Sequence, residues 1–133
     1  MNPSYITIIS GKLHFLIPVL WVSHIEDGAN QETDLPVLAL SDLTGIQPAP
    51  GTQQYRILLS HNGKTMELLA ENVSAMKEVS NREIIKLREP VLNEKNRYLH
   101  GAVLMETATG NGTTLAYLLD PEALYERALD DQN

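Results

Sequence analysis

Apolar positions fall in short runs separated by polar punctuation. Tyr5 to Ile9 is a β-branched run closed by Ser10-Gly11, and a second apolar segment follows from Leu13 to Ile17, so Gly11-Lys12 reads as a hairpin turn. Beyond Pro18 the period changes. Val19, Val22 and Ile25 recur every third position, which predicts a short helix or helical turn with Pro18 near its start. Residues 26–34 are polar, contain Gly28 and Asn30, and read as a loop. Leu35 to Leu40 predicts a short buried strand. Ser41 to Gly45 predicts one helical turn, with Ser41 as cap and Gly45 as stop. Residues 46–54 carry two prolines and a glycine and mark the expected boundary between two lobes of one domain spanning 1–133, approximately 1–50 and 51–133.

The clearest local signal is in the second half. Tyr55 to Ser60 and Thr65 to Ala70 flank His61-Asn62-Gly63-Lys64, and Asn-Gly suits a tight hairpin because both residues tolerate positive φ. Residues 73–79 fit two periods: Val73, Met76 and Val79 a helix, Val73, Ala75, Lys77 and Val79 a strand. Ser80 and Glu83 have capping-box spacing. Residues 90–97 read as polar loop, and Tyr98 to Glu106 and Thr113 to Leu119 as strands around Gly110-Asn111-Gly112. A helix is expected from Asp120 to about Leu129, capped by Asp120, with Pro121 at its first position and Leu124 and Ala128 as its apolar stripe. Many short strands and few helices predict an all-β architecture, a barrel pair or sandwich.

Composition narrows the function classes. The 133 residues carry 10 basic and 17 acidic side chains, a formal charge of −7, and no basic cluster, which disfavours nucleic acid as a partner. With no cysteine, thiol nucleophiles, zinc ribbons and disulfides are excluded, and a reducing compartment fits. The longest apolar run, Phe15 to Val22, is interrupted by Pro18 and falls well short of the roughly 20 residues that span a bilayer, so direct membrane insertion is not expected. A secretory signal is not visible, and a cytoplasmic location is expected.

Candidate chemistry is sparse. The histidines at 14, 24, 61 and 100 lack metal-ligand spacing, and no Gly-x-Ser-x-Gly elbow is present. Glu67 with Glu71 and Asp120 with Glu122 are carboxylate pairs at a strand end and a helix start, where structural roles suffice. The expectation is a protein without catalytic activity, cofactor or metal. The other place to look is exposed apolar surface. A turn as short as that at 19–25 cannot bury every side, which nominates Trp21, Val22 and Ile25 as a protein-contact patch; the alternative is that all three fill the core.

The order of these motifs resembles the CheW-like domain of bacterial chemotaxis adaptors. The Asn62-Gly63 hairpin leads to Leu69-Ala-Glu-Asn-Val-Ser74, then Tyr98-Leu-His-Gly-Ala102, then Leu118-Leu-Asp-Pro-Glu-Ala-Leu124, as in that family's second half. Ile17 to Ile25 resembles its x-Pro-x-x-x-Val-x-x-Ile segment, and Leu35-Pro-Val-Leu-Ala-Leu40 with Gly45 its Val-Pro-Val-Ile-Asp-Leu strand and turn. The resemblance implies two small packed β-barrels with a C-terminal helix. It also implies a non-catalytic scaffold that joins a chemotaxis-type histidine kinase to methyl-accepting chemoreceptors, with receptor contacts in the groove near Val22 and His24, the carry-over being direct for Val22. Three departures stand out: His24 replaces an acidic residue, Ala39 replaces an aspartate, and the strand with an Asn-Leu-Arg-Gly motif that should lie between Ile25 and Leu35 is missing. The first barrel is therefore expected to be shortened, with an open edge that a partner or a second copy could pair. Besides the adaptor, the sequence leaves a self-associating homodimer and a small ligand-binding barrel, or a minor hydrolase using His61 or His100, as further readings.

Overall fold

A computed structural model describes residues 2–27, 34–52, 54–87, 98–106 and 112–131. Its elements in chain order are β1 (Ser4–Ser10), β2 (Leu13–Pro18), β3 (Val22–Asp27), β4 (Val37–Ala39), α1 (Leu40–Thr44), β5 (Tyr55–His61), β6 (Lys64–Ala70), β7 (Asn72–Glu78), β8 (Leu99–Glu106), β9 (Thr113–Leu119) and α2 (Pro121–Asp131). Single 3-10 turns occupy Val19–Trp21 and Asn81–Glu83. The strands form two sheets, one ordered β7-β1-β2-β9-β8 and the other β3-β5-β6-β4.

Local chemistry accounts for the hairpins. Asn62 and Gly63 take φ of 50° and 78°, and the turn closes on the pair His61–Lys64. Gly11 and Lys12 do the same, at 58° and 70°, between β1 and β2. In the C-terminal helix the Asp120 carboxylate accepts the Glu122 N–H at 3.1 Å, while Leu124 and Ala128 are fully buried. The Ser80–Glu83 capping box forms as expected. The ends of β8 and β9 face each other, but residues 107–111 and the 90–97 loop lie outside the described residues.

The all-β expectation holds, and the structure corrects several details beneath it. Neither sheet closes on itself as a barrel through the described strand pairings. The five-stranded sheet comes nearest. Residues 79–85 cross its second face, burying Val79 beside Leu16, Val103 and Leu118, and Ile85 then exchanges two backbone bonds with Ala102 of β8 at 2.7 and 3.0 Å. This strap ties the β7 edge to the β8 edge. The four-stranded sheet has no such tie among the described residues, and β3 and β4 remain its two edges. The boundary expected near residue 50 does not divide the sheets either, because β1 and β2 pair with β7 and β9 from the far half of the chain.

Other corrections are local. The predicted helix at 19–25 is a 3-10 turn followed by strand β3, the strand at 35–40 shrinks to Val37–Ala39, and α1 starts at Leu40 with Ala39, not Ser41, at its N-cap. Residues 73–79 resolve as strand β7 with Val79 just beyond it. The principal core lies between the sheets, where Ile8, Phe15 and Ile17 meet Ile57, Leu59, Met66 and Leu68, with α2 adding Leu124 and Ala128.

Candidate protein-interaction edge

The four nominated residues occupy one short stretch of chain but have different environments. Trp21 is 8% exposed, belongs to the principal core, and stacks its ring 4.9 Å from that of His61 at a 37° tilt. It is a core residue and not part of an exposed patch. Val22 is half-buried and packs on the same core. His24 and Ile25 are exposed, Ile25 at 36%. A larger apolar surface that the residue spacing did not nominate is Leu20, 85% exposed on the turn leading into β3.

Strand β3 places these side chains by register. It pairs antiparallel with β5, opposing His24 to Leu58, Ile25 to Ile57 and Glu26 to Arg56, with an irregularity between Val22 and His24. A β-bulge of this kind inserts one extra residue on one strand. Val22 and Ile25 consequently oppose Leu59 and Ile57, both buried, although they are three positions apart. His24 and Glu26 fall on the opposite face.

On that face lies a charged row crossing three strands. The Arg56 guanidinium donates through Nη2 to Glu67 Oε1 at 3.0 Å and lies 3.0 Å from Glu26 Oε2, while His24 Nε2 lies 3.0 Å from Glu26 Oε1. Burial is graded along the row, from the nearly inaccessible Glu67 and Arg56 side chains, at 5% and 12%, to Glu26 and His24 at 41% and 50%. The inner pair is the energetically important part, because removing one member of a buried pair strands the other charge. The outer pair is solvent-screened and worth little to stability. Sequence spacing did not bring Arg56, Glu67 and Glu26 together, and only the β3-β5-β6 register reveals them.

The remaining chemistry stays dispersed. A cleft of about 280 Å³ is lined by Tyr5, Pro18, His100, Leu118, Leu119, Asp120 and Pro121. His100 and Asp120 share it, but an Asp120 oxygen is committed to capping α2. Burial raises the Tyr98 hydroxyl pKa above its ordinary value, against a lowering by the positive charge of Arg127. Among the described residues no group of three or more His, Asp or Glu side chains could hold a metal ion, and no helix is long and apolar enough to cross a membrane. The described geometry is a two-sheet β protein with apolar side chains exposed at Leu20 and Ile25 beside the β3 edge.

The comparisons name that class. The family model for the CheW-like domain matches residues 29–129, and the chain belongs to that family. The scaffolding protein TtCheW from Thermoanaerobacter tengcongensis has a similar solved structure, with a TM-score of 0.66 and 11% identity, over 90% of each chain. Among curated protein sequences, none matches this chain significantly. The family match begins after β3, so β1, β2 and β3 join the fold through their pairings rather than through the matched segment.

Proposed function

We propose that this protein is a non-catalytic adaptor of bacterial chemosensory signalling, acting in the cytoplasm to couple a chemotaxis-type histidine kinase to methyl-accepting receptors. The observation that carries the reading is the CheW-like match over residues 29–129. The similar fold of a protein described as a scaffold supports it. The contact surface assigned here is the β3 edge with the turn before it: Leu20, Val22 and Ile25 as apolar contacts and His24 as their polar neighbour. Exposed apolar side chains beside an unpaired edge suit a protein partner.

Binding by interferometry to the CheW-like domain of a chemotaxis-type kinase, and separately to a receptor's cytoplasmic hairpin, tests the reading. Leu20→Asp, which alters a side chain already in solvent, should weaken at least one of these interactions about tenfold or more, as expected of an interface anchor, with an unchanged thermal midpoint. Absence of binding to both partners by the wild-type chain would overturn the adaptor reading.

A further inference from the structure

The outer edge of β3 carries a pattern complementary to itself. The turn pair His61–Lys64 closes a two-residue hairpin and is a bonded pair, so alternate residues Leu59, Ile57 and Tyr55 direct their backbone groups toward β6. Leu58 and Arg56 then direct theirs toward β3, where their partners are His24 and Glu26. It follows that Ile25 and Asp27, beyond the bulge at Ser23, point their N–H and C=O groups away from the sheet. No described strand lies beyond them.

We infer that this edge pairs antiparallel with β3 of a second copy, about a twofold axis at Ile25. Charge selects the register. Centring the pair on Ile25 places His24 opposite Glu26 of the other copy at both ends, and Ile25 opposite Ile25 as a bonded pair. Centring it on Glu26 would oppose two carboxylates, and like charges directly opposite destabilise a sheet pair; centring it on His24 would leave Glu26 facing Val22, with no imidazole opposite its carboxylate. In the selected register the two four-stranded sheets become one continuous sheet. Each half-exposed Ile25 covers the other beside the buried Ile57. Glu26, whose oxygens already lie 3.0 Å from Arg56 and from its own His24, then also faces the partner copy's imidazole. An isologous arrangement of this kind is self-limiting at two copies.

This inference uses the same β3 edge as the adaptor reading, but its test needs neither kinase nor receptor, so either can fail alone. Sedimentation velocity over a wide concentration range should show a monomer–dimer equilibrium for the wild-type chain. His24→Glu should shift it toward monomer, because it opposes two carboxylates at each end of the selected register, and Glu26→Lys should do so because it removes the acceptor that faces His24. Mixing the two variants should restore association as a heterodimer, since the introduced carboxylate then meets the introduced ammonium at one end and Glu26 meets His24 at the other. The chain has no cysteine, so Ile25→Cys introduces a single reporter. Cα atoms in a bonded antiparallel pair lie about 5.5 Å apart, within disulfide reach, and this variant should cross-link under mild oxidation. Ser23→Cys should not, because its counterpart lies four residues along the partner strand, about 13 Å away. A wild-type chain that stays monomeric throughout overturns the pairing. A dimer indifferent to the charge variants, unrestored on mixing, or cross-linked equally well from position 23 overturns the register.

Discussion

At the residue scale, Trp21 shows how one side chain changes its assignment once packing is known. Its ring fills the space between β3 and His61, so Trp21→Ala should lower unfolding free energy by about 3–5 kcal/mol in denaturant titrations, the usual cost of emptying a large aromatic site. A loss below about 1 kcal/mol would show that the site is not packed core. Glu83 gives a sharper test. Its carboxyl accepts the Ser80 N–H at 3.0 Å and the Ser80 hydroxyl at 3.3 Å, with the Lys77 ammonium 3.9 Å away. The backbone bond is the largest cause holding its pKa below the ordinary glutamate value; desolvation opposes it, and Lys77 and the hydroxyl add smaller lowering. A depressed folded-state value means that the cap's contribution is present above the ordinary glutamate pKa and is lost as pH falls through the folded one. An NMR titration of Glu83 should therefore show a midpoint below that of free glutamate. Ser80→Gly, which keeps the N–H, should retain most of the displacement, and Ser80→Pro, which removes it, should abolish most of it.

At the element scale, the charged row across β3, β5 and β6 should behave asymmetrically. Arg56→Met leaves Glu67 buried without its guanidinium and should cost about 3–5 kcal/mol, whereas Arg56→Met with Glu67→Leu should recover most of that loss. Thermal and denaturant unfolding of the single and double variants would check this. If the double variant is no more stable than the single one, the buried pair is not the source of the cost. The same scale explains which elements were legible in the sequence. Hairpins at Gly11-Lys12 and Asn62-Gly63, and the Asp120-Pro121 helix start, were readable because turn and cap chemistry is local. Residues 19–25, predicted as a helical turn, and residues 73–79, which fitted two periods, were not, and for one shared reason. Val19, Val22 and Ile25 mimic a helix because a bulge between Val22 and His24 brings residues three apart onto one face. Val73 and Met76 do likewise, opposing Ile8 and Ile6 across a register shift in the β1–β7 pair. A bulge is set by the partner strand, so the chain's own periodicity cannot distinguish it from a helical turn.

At the scale of the whole molecule, the family and the all-β class were legible because several weak motifs recur in a fixed order. The division into contiguous lobes was not, because strand pairing here ignores sequence proximity. Likewise, the missing Asn-Leu-Arg-Gly strand announced an open edge, but only the pairing order shows that, among the described residues, the four-stranded sheet carries it while the strap at 79–85 ties the other. Gly101 is where that tie is tightest: a Cβ there would lie 2.9 Å from Ile84 Cγ2 and 3.1 Å from the Ile85 carbonyl oxygen.

The parallel pairing of β2 with β9 joins Phe15 to Tyr117 and Leu16 to Leu118. During synthesis the opening hairpin leaves the ribosome long before its permanent neighbour exists, and it carries Phe15, Leu16 and Ile17 with one flank bare throughout that wait. Domains whose contacts are this distant in sequence fold slowly and expose sticky intermediates. A nascent chain stalled before residue 113 should accordingly be retained by chaperones, and release should coincide with emergence of the final strand.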